Sequence, residues 1–179
     1  MQETATPAYT ALARALHWFT AALIMIIIPL GLVIYFDLGG KLGDQIYDLH
    51  RSIGALVIPI VLVRIAYRLF HKPARLPDDI SCIQRFMAHT THWTLYALII
   101  VQPFIGWIAT SASRAPIPVF ALFELPPIWA EQHGFSERMF VVHALIGFAI
   151  AVLVTMHIAA ALHHHFVRKD GILVRMIQG

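Results

Sequence analysis

Residues 140–166 read FVVHALIGFAIAVLVTMHIAAALHHHF, with no Asp, Glu, Lys or Arg among them. About 20 apolar residues in a helix cross the ~30 Å hydrocarbon layer of a bilayer. Lipid offers no partner to an unpaired backbone group, so the stretch is predicted to be a membrane-spanning α-helix. Two imidazoles lie within it, His143 and His157, fourteen residues apart. At about 1.5 Å per residue the interval covers roughly 21 Å of helix axis. Fourteen steps of about 100° return the second side chain to within about 40° of the first, so both share one face. One helix thus presents a ring nitrogen near each membrane surface.

Three further apolar stretches have spanning length, at about 16–36, 47–70 and 87–110, beside the one at 140–166. The fold class is therefore all-α, an integral membrane four-helix bundle, with residues 1–179 as a single domain. Composition agrees: the chain is 59% hydrophobic and 13% charged, with a mean hydropathy of +0.71. Soluble domains carry about a quarter charged residues. Pro29, Pro59 and Pro103 fall inside three of the stretches, which membrane helices accept where neighbours satisfy the freed backbone groups. The net charge of +3 does not mark a nucleic-acid partner, because the basic residues gather at the ends of apolar runs. The single cysteine, Cys82, permits neither an intramolecular disulfide, a covalent c-type haem motif nor an iron–sulfur cluster. No removable signal peptide is read at the start, and the first helix is its own anchor.

Lys and Arg set the orientation. With the N-terminus inside, the inner segments carry Arg14, Arg64, Arg68, Lys72, Arg75, Arg85, Arg168, Lys169 and Arg175, and the outer ones only Lys41, Arg51, Arg114 and Arg138. Both termini are expected to be cytoplasmic. The outer segment from Ser111 to Arg138 holds Phe120, Leu122, Phe123, Leu125, Ile128 and Trp129, too apolar for a freely solvated loop. It is expected to fold back as a lid. The inner loop from His71 to Arg85 contains Lys72-Pro73 and Pro77-Asp78-Asp79.

Eleven histidines in a lipid-solvated chain need a physical reason. An ionisable group in a membrane helix is costly and faces the bundle interior. Neutral imidazole as an axial ligand to haem iron supplies such a reason. His17 opens the first helix at the depth of His157, and His50 opens the second at the depth of His143. The expected pairs are His17 with His157 and His50 with His143, holding two haem b groups in the bundle core. Each of the four is followed four residues later by a small residue: Ala21, Gly54, Gly147 and Ala161. The other reading, interhelical hydrogen bonding without a ligand, must account for four imidazoles paired by depth. A zinc site needs ligands gathered at one point, and the two depths are too far apart for that.

The chain resembles the bacterial cytochrome b561 family over nearly its whole length. The resemblance is carried by Leu16-His17-Trp18, by Leu49-His50-Arg51-Ser52-Ile53-Gly54, and by Val63-Arg64-Ile65-Ala66-Tyr67-Arg68. It continues in His143-Ala144-Leu145-Ile146-Gly147 and in residues 157–166. More distantly, the chain is similar to the cytochrome b subunits of membrane hydrogenases and formate dehydrogenases. Membership implies haem ligands on the first, second and fourth helices and a place in the bacterial inner membrane. A stand-alone member looks like a superoxide oxidase, which implies superoxide as donor at the outer, periplasmic face. Its acceptor would be ubiquinone at the inner, cytoplasmic side, with His164 as a quinone contact and no protein partner required. The alternative is a haem b electron-transfer subunit or partner of a membrane dehydrogenase or hydrogenase that delivers electrons to quinone.

Other residues carry two readings each. Arg64 and Arg68 either clamp the propionates of the inner haem or anchor the helix by snorkelling. His163, His164 and His165 are either quinone contacts or an interfacial polar cluster. His89 and His92 either face the quinone pocket or make interfacial hydrogen bonds, and Trp18 and Trp93 either line that pocket or form an aromatic belt. Arg51 and Arg114 either steer an anion, or Arg51 pairs with Asp48 or a propionate and Arg114 only anchors a loop. His71 and His133 are read as loop residues.

Overall fold

Thr10 starts the first helix by accepting the Ala13 N–H on its hydroxyl oxygen at 3.2 Å. Helix α1 then runs Ala11–Tyr35, and Pro29 lies inside it. The computed structural model describes residues 9–71 and 79–178. Lys72, Pro73, Arg75, Pro77 and Asp78, which belong to the expected inner loop, lie outside the described residues. A 3-10 turn at Gly40–Leu42 leads into α2, Gly43–Phe70. Helix α3, Cys82–Ala112, opens on a capping box in which Ser81 and Gln84 exchange side-chain and backbone hydrogen bonds. Helix α4 runs His133–His163 and continues as a π-helical turn, His164–Arg168. The chain then reverses through left-handed Lys169 (φ 54°) and Gly171 (φ 73°) into a short α5, Ile172–Ile177.

Among the described residues, four helices are long and apolar enough to cross a membrane. All start several residues ahead of the expected bounds, since an apolar run marks only what lipid solvates. In α1 and α3 the helix itself extends to the polar caps Thr10 and Ser81. Helices α1 and α2 pack together, as do α3 and α4, and α2–α3 and α1–α4 contacts close the bundle. The buried core is built from Leu23, Ile24, Ile53, Val57, Val61, Leu95, Tyr96, Ile99 and Ile150.

The segment between α3 and α4 does fold back over one end. Strands β1 (Pro118–Val119) and β2 (Phe123–Glu124) pair antiparallel, and Leu122 N–H closes the turn on Val119 O at 2.9 Å. Its two central residues, Phe120 (φ 50°) and Ala121 (φ 57°), are both left-handed and neither is glycine. Ser52 of α2 fastens this hairpin: its hydroxyl accepts the Phe120 N–H at 2.9 Å and lies 3.1 Å from the Pro118 carbonyl. Trp107 donates to Pro126 O at 2.9 Å, and Ser111 accepts the Ile128 N–H at 3.1 Å. The start of α1 and the end of α4 lie at the opposite end of the bundle.

Candidate functional site

The fourteen-residue interval of α4 recurs on every helix of the bundle. It separates His17 from Gly31, His50 from Arg64, His92 from Gly106 and His143 from His157. Because the helices alternate in direction, His17, Arg64, His92 and His157 fall at the terminal end of the bundle. Gly31, His50, Gly106 and His143 fall at the lid end. The midpoints of the four intervals are Ile24, Val57, Ile99 and Ile150, and all four are buried. The bundle therefore has a polar level near each end and an apolar layer between them.

At the lid end, the rings of His50 and His143 lie edge to face, with centres 6.1 Å apart and planes inclined at 76°. Imidazole nitrogens bind metals at about 2.0 Å, which puts two rings on opposite sides of one iron with centres about 6 Å apart. His143 Nδ1 donates to the Gln102 carbonyl at 3.1 Å, which directs Nε2 toward any metal. His50 Nδ1 is buried toward the Ile27 carbonyl, outside regular hydrogen-bond geometry. Glycines border both rings. A Cβ on Gly106 would lie 3.0 Å from His143 Cε1, and one on Gly31 would lie 3.2 Å from His50 Cε1. A cavity of about 500 Å³ opens between the rings and α1, lined by Gly54, Gly147 and Phe148 among others. That volume lies within the usual range for cofactor pockets of about 300–1,000 Å³. Donor type, ring spacing and room fit a bis-histidine haem, and the tautomer is fixed at His143.

The terminal level is more crowded. His17 and His157 have ring centres 6.4 Å apart, again a separation that suits one iron. His92 lies closer to His157, at 5.3 Å. Arg64 Nη2 donates to His17 Nδ1 at 2.7 Å. With that bond made, the proton of neutral His17 sits on Nε2, so ligation through Nε2 requires Arg64 to release the ring. Arg64 and Arg68 both lie over the buried Tyr96 ring, at 5.1 and 5.4 Å, and Arg68 also lies 5.8 Å from the Trp93 ring. Beside His17 a small cavity of about 80 Å³ is lined by Thr10, Arg64, Tyr67, Arg68 and His71. This level offers two guanidinium groups for carboxylates and little preformed room.

The histidine run at the end of α4 is divided by the π-helical turn. His163 is exposed, whereas His164 donates through Nδ1 to Asp170 Oδ2. Arg168 Nε donates to the same oxygen at 3.2 Å, and its Nη2 reaches Asp79 at 2.7 Å. Burial pushes the Asp170 carboxyl up, but hydrogen bonds from His164, the Ile172 N–H and Arg168 outweigh it and hold the pKa below the ordinary value.

The remaining candidates are placed as follows. Arg51 borders the lid-end cavity, donates to Pro116 O at 3.2 Å and sits 3.5 Å from Asp48. Arg114 pairs with Glu131 at 3.5 Å. Trp18 donates to Met176 O at 2.9 Å, tying α1 to α5. His71 stacks on Tyr67, His133 pairs with Glu131, and His89 is exposed. Gly31, Gly106, Gln102 and Asp170 were not singled out from sequence. The repeated interval would have found the two glycines.

A sequence profile of the prokaryotic cytochrome b561 family matches residues 8–179. The chain is 30% identical to cytochrome b561 homolog 2 of Escherichia coli strain K12, over 99% of this chain and 95% of that protein. It is 28% identical to the probable superoxide oxidase CybB of Yersinia pestis, over 94% and 95%. It is 26% identical to cytochrome b562 of Cereibacter sphaeroides, over 98% of each. With four spanning helices and a match over nearly its full length, the chain belongs to the prokaryotic cytochrome b561 family, the haem b electron-transfer proteins of the bacterial inner membrane.

Proposed function

We propose that this chain is a superoxide:ubiquinone oxidoreductase that holds two haem b groups. His50 and His143 would hold one group under the lid, and His17 and His157 the other near the termini. The carrying observation is two close histidine pairs, one at each level, with an apolar layer between them. Haem b with two histidine ligands supplies a one-electron carrier with no open coordination position. The excess of Lys and Arg at the terminal end supports that end as cytoplasmic and the lid end as periplasmic.

The protein's own residues have separate tasks in this reading. Arg51, beside the lid-end cavity, attracts the superoxide anion. Gly31 and Gly106 keep room for a flat macrocycle. Arg64 and Arg68 bind propionates at the terminal level by charge-assisted hydrogen bonds. His164 binds and protonates ubiquinone. The balance is two superoxide anions, one quinone and two protons giving two dioxygen molecules and one quinol. The relative named a probable superoxide oxidase supports the donor.

A second reading makes the chain a haem b subunit or partner of a membrane dehydrogenase or hydrogenase. The exposed Leu122, Phe123, Ile128 and Trp129 on the lid favour it, since they suit a docking protein. Stopped-flow mixing with superoxide, with and without quinone, separates the two. Superoxide should reduce the b-type absorption, and added quinone should reoxidise it. If superoxide leaves the haems oxidised while a dehydrogenase reduces them, the first reading is wrong.

A further inference from the structure

Asp170 follows the last spanning helix, yet its side chain is only 7% exposed. Aspartate is rarely buried unless paired, and this one is held on several sides. His164 Nδ1 and Arg168 Nε meet Oδ2, and the Ile172 N–H meets Oδ1 at 3.3 Å. The geometry is built by two irregular pieces of backbone. The π-helical turn covers 164–168, and such turns concentrate at functional sites. Left-handed Lys169 then reverses the chain and brings Asp170 back to His164. A non-glycine residue is strained in that conformation. Arg168 ties the arrangement to Asp79, beyond the neighbouring helix.

An ionised carboxylate only accepts hydrogen bonds, so the His164 proton that faces it must sit on Nδ1. Nε2 is then the ring nitrogen left to meet a ligand. A carboxylate on one ring nitrogen selects the tautomer and stabilises the imidazolium formed when the other nitrogen takes a proton.

We propose that Asp170 is the positioning residue of the quinone site: it holds Nδ1–H of His164 and stabilises the imidazolium whose Nε2–H meets a quinone carbonyl oxygen. The proposal rests on reading His164 as the quinone contact. His164 gives one proton through Nε2 to the reduced quinone and regains it from water at the terminal end. The second proton comes from the same water, and the two electrons come from oxidation of two donor anions.

The test uses haem-loaded protein in lipid nanodiscs, prereduced and mixed with decylubiquinone. Asp170→Asn should keep the full haem content and slow quinone-dependent reoxidation at least tenfold, with Asp170→Glu recovering most of the rate. His164→Ala should be similarly slow, and the double variant should be no slower than His164→Ala. Normal reoxidation of Asp170→Asn beside a slow His164→Ala overturns the positioning role and leaves the quinone contact standing. Normal reoxidation of His164→Ala removes that contact and the proposal with it. If Asp170→Asn fails to accumulate, nitrogen-15 NMR of histidine in the reduced wild-type protein decides. A protonated Nδ1 on His164 supports the proposal, and a bare Nδ1 with a protonated Nε2 overturns it.

Discussion

Gln102 and His143 hold each other across the α3–α4 interface by two hydrogen bonds. The Gln102 amide donates to the His143 carbonyl at 2.8 Å, and the His143 ring donates to the Gln102 carbonyl at 3.1 Å. The first bond frees a backbone carbonyl from needing another partner, and the second fixes the ring. Gln102→Ala removes only the first. A net loss of about 1 kcal/mol is expected, or roughly a fivefold weaker grip on the lid-end haem. Haem content after extended dialysis against apomyoglobin measures it.

The two levels should lose their cofactor independently. His50→Ala and Gly106→Leu are expected to empty the lid-end site and leave the terminal one loaded. The leucine side chain would push into the His143 ring, which already lies 3.0 Å from where a Cβ would stand. His17→Ala should do the reverse. Redox titration of the b-type absorption would show which component has gone. Simultaneous loss of both components from either His50→Ala or Gly106→Leu would contradict the two-level arrangement.

Between the levels, Ile150 is 4% exposed and Val57 3%. Ile150→Ala is expected to cost about 2–4 kcal/mol through lost contacts and a cavity. Val57→Asp should cost at least as much, since it leaves a carboxylate buried without a partner. Thermal unfolding followed by haem absorption should show lower midpoints for both variants, the larger drop belonging to Val57→Asp.

Acid should loosen the terminal end first. Asp170 has a folded pKa below its ordinary value. A depressed carboxyl contributes stability that is complete above its unfolded pKa of about 3.9 and fades as pH falls through the folded value. Below that range, α5 should lose its hold and Trp18 its hydrogen bond to Met176. Trp fluorescence titrated downward from pH 6 checks this. Asp170→Asn should start from a less stable terminal segment at neutral pH and show a flatter acid response.

The four long apolar helices were legible because an apolar run of about 20 residues with few or no charges is what lipid requires of a helix and water does not. Their ends were not, since Thr10 and the Ser81–Gln84 box act through a few local hydrogen bonds. His143 and His157 announced the two depths, as imidazole in lipid demands a reason. Gly31 and Gly106 did not, because glycine is common in membrane helices and carries no chemistry of its own. The hairpin at 118–124 escaped notice for a related cause: Phe120-Ala121 lacks the Asn-Gly or Asp-Gly signal of such turns. Asp170 looked like an ordinary residue of a charged tail. Its role emerges only from the π-helical turn and the left-handed reversal at Lys169, neither of which has a periodic signature.

The layer of Ile24, Val57, Ile99 and Ile150 carries no group that can relay a proton. Electrons tunnel across such a barrier, while hydrogen ions stop at it. In the proposed reaction, negative charge would enter under the lid, and its compensating protons would be drawn from the opposite compartment. Each turnover would then be electrogenic, and detoxifying an oxidant would charge the membrane as a capacitor is charged.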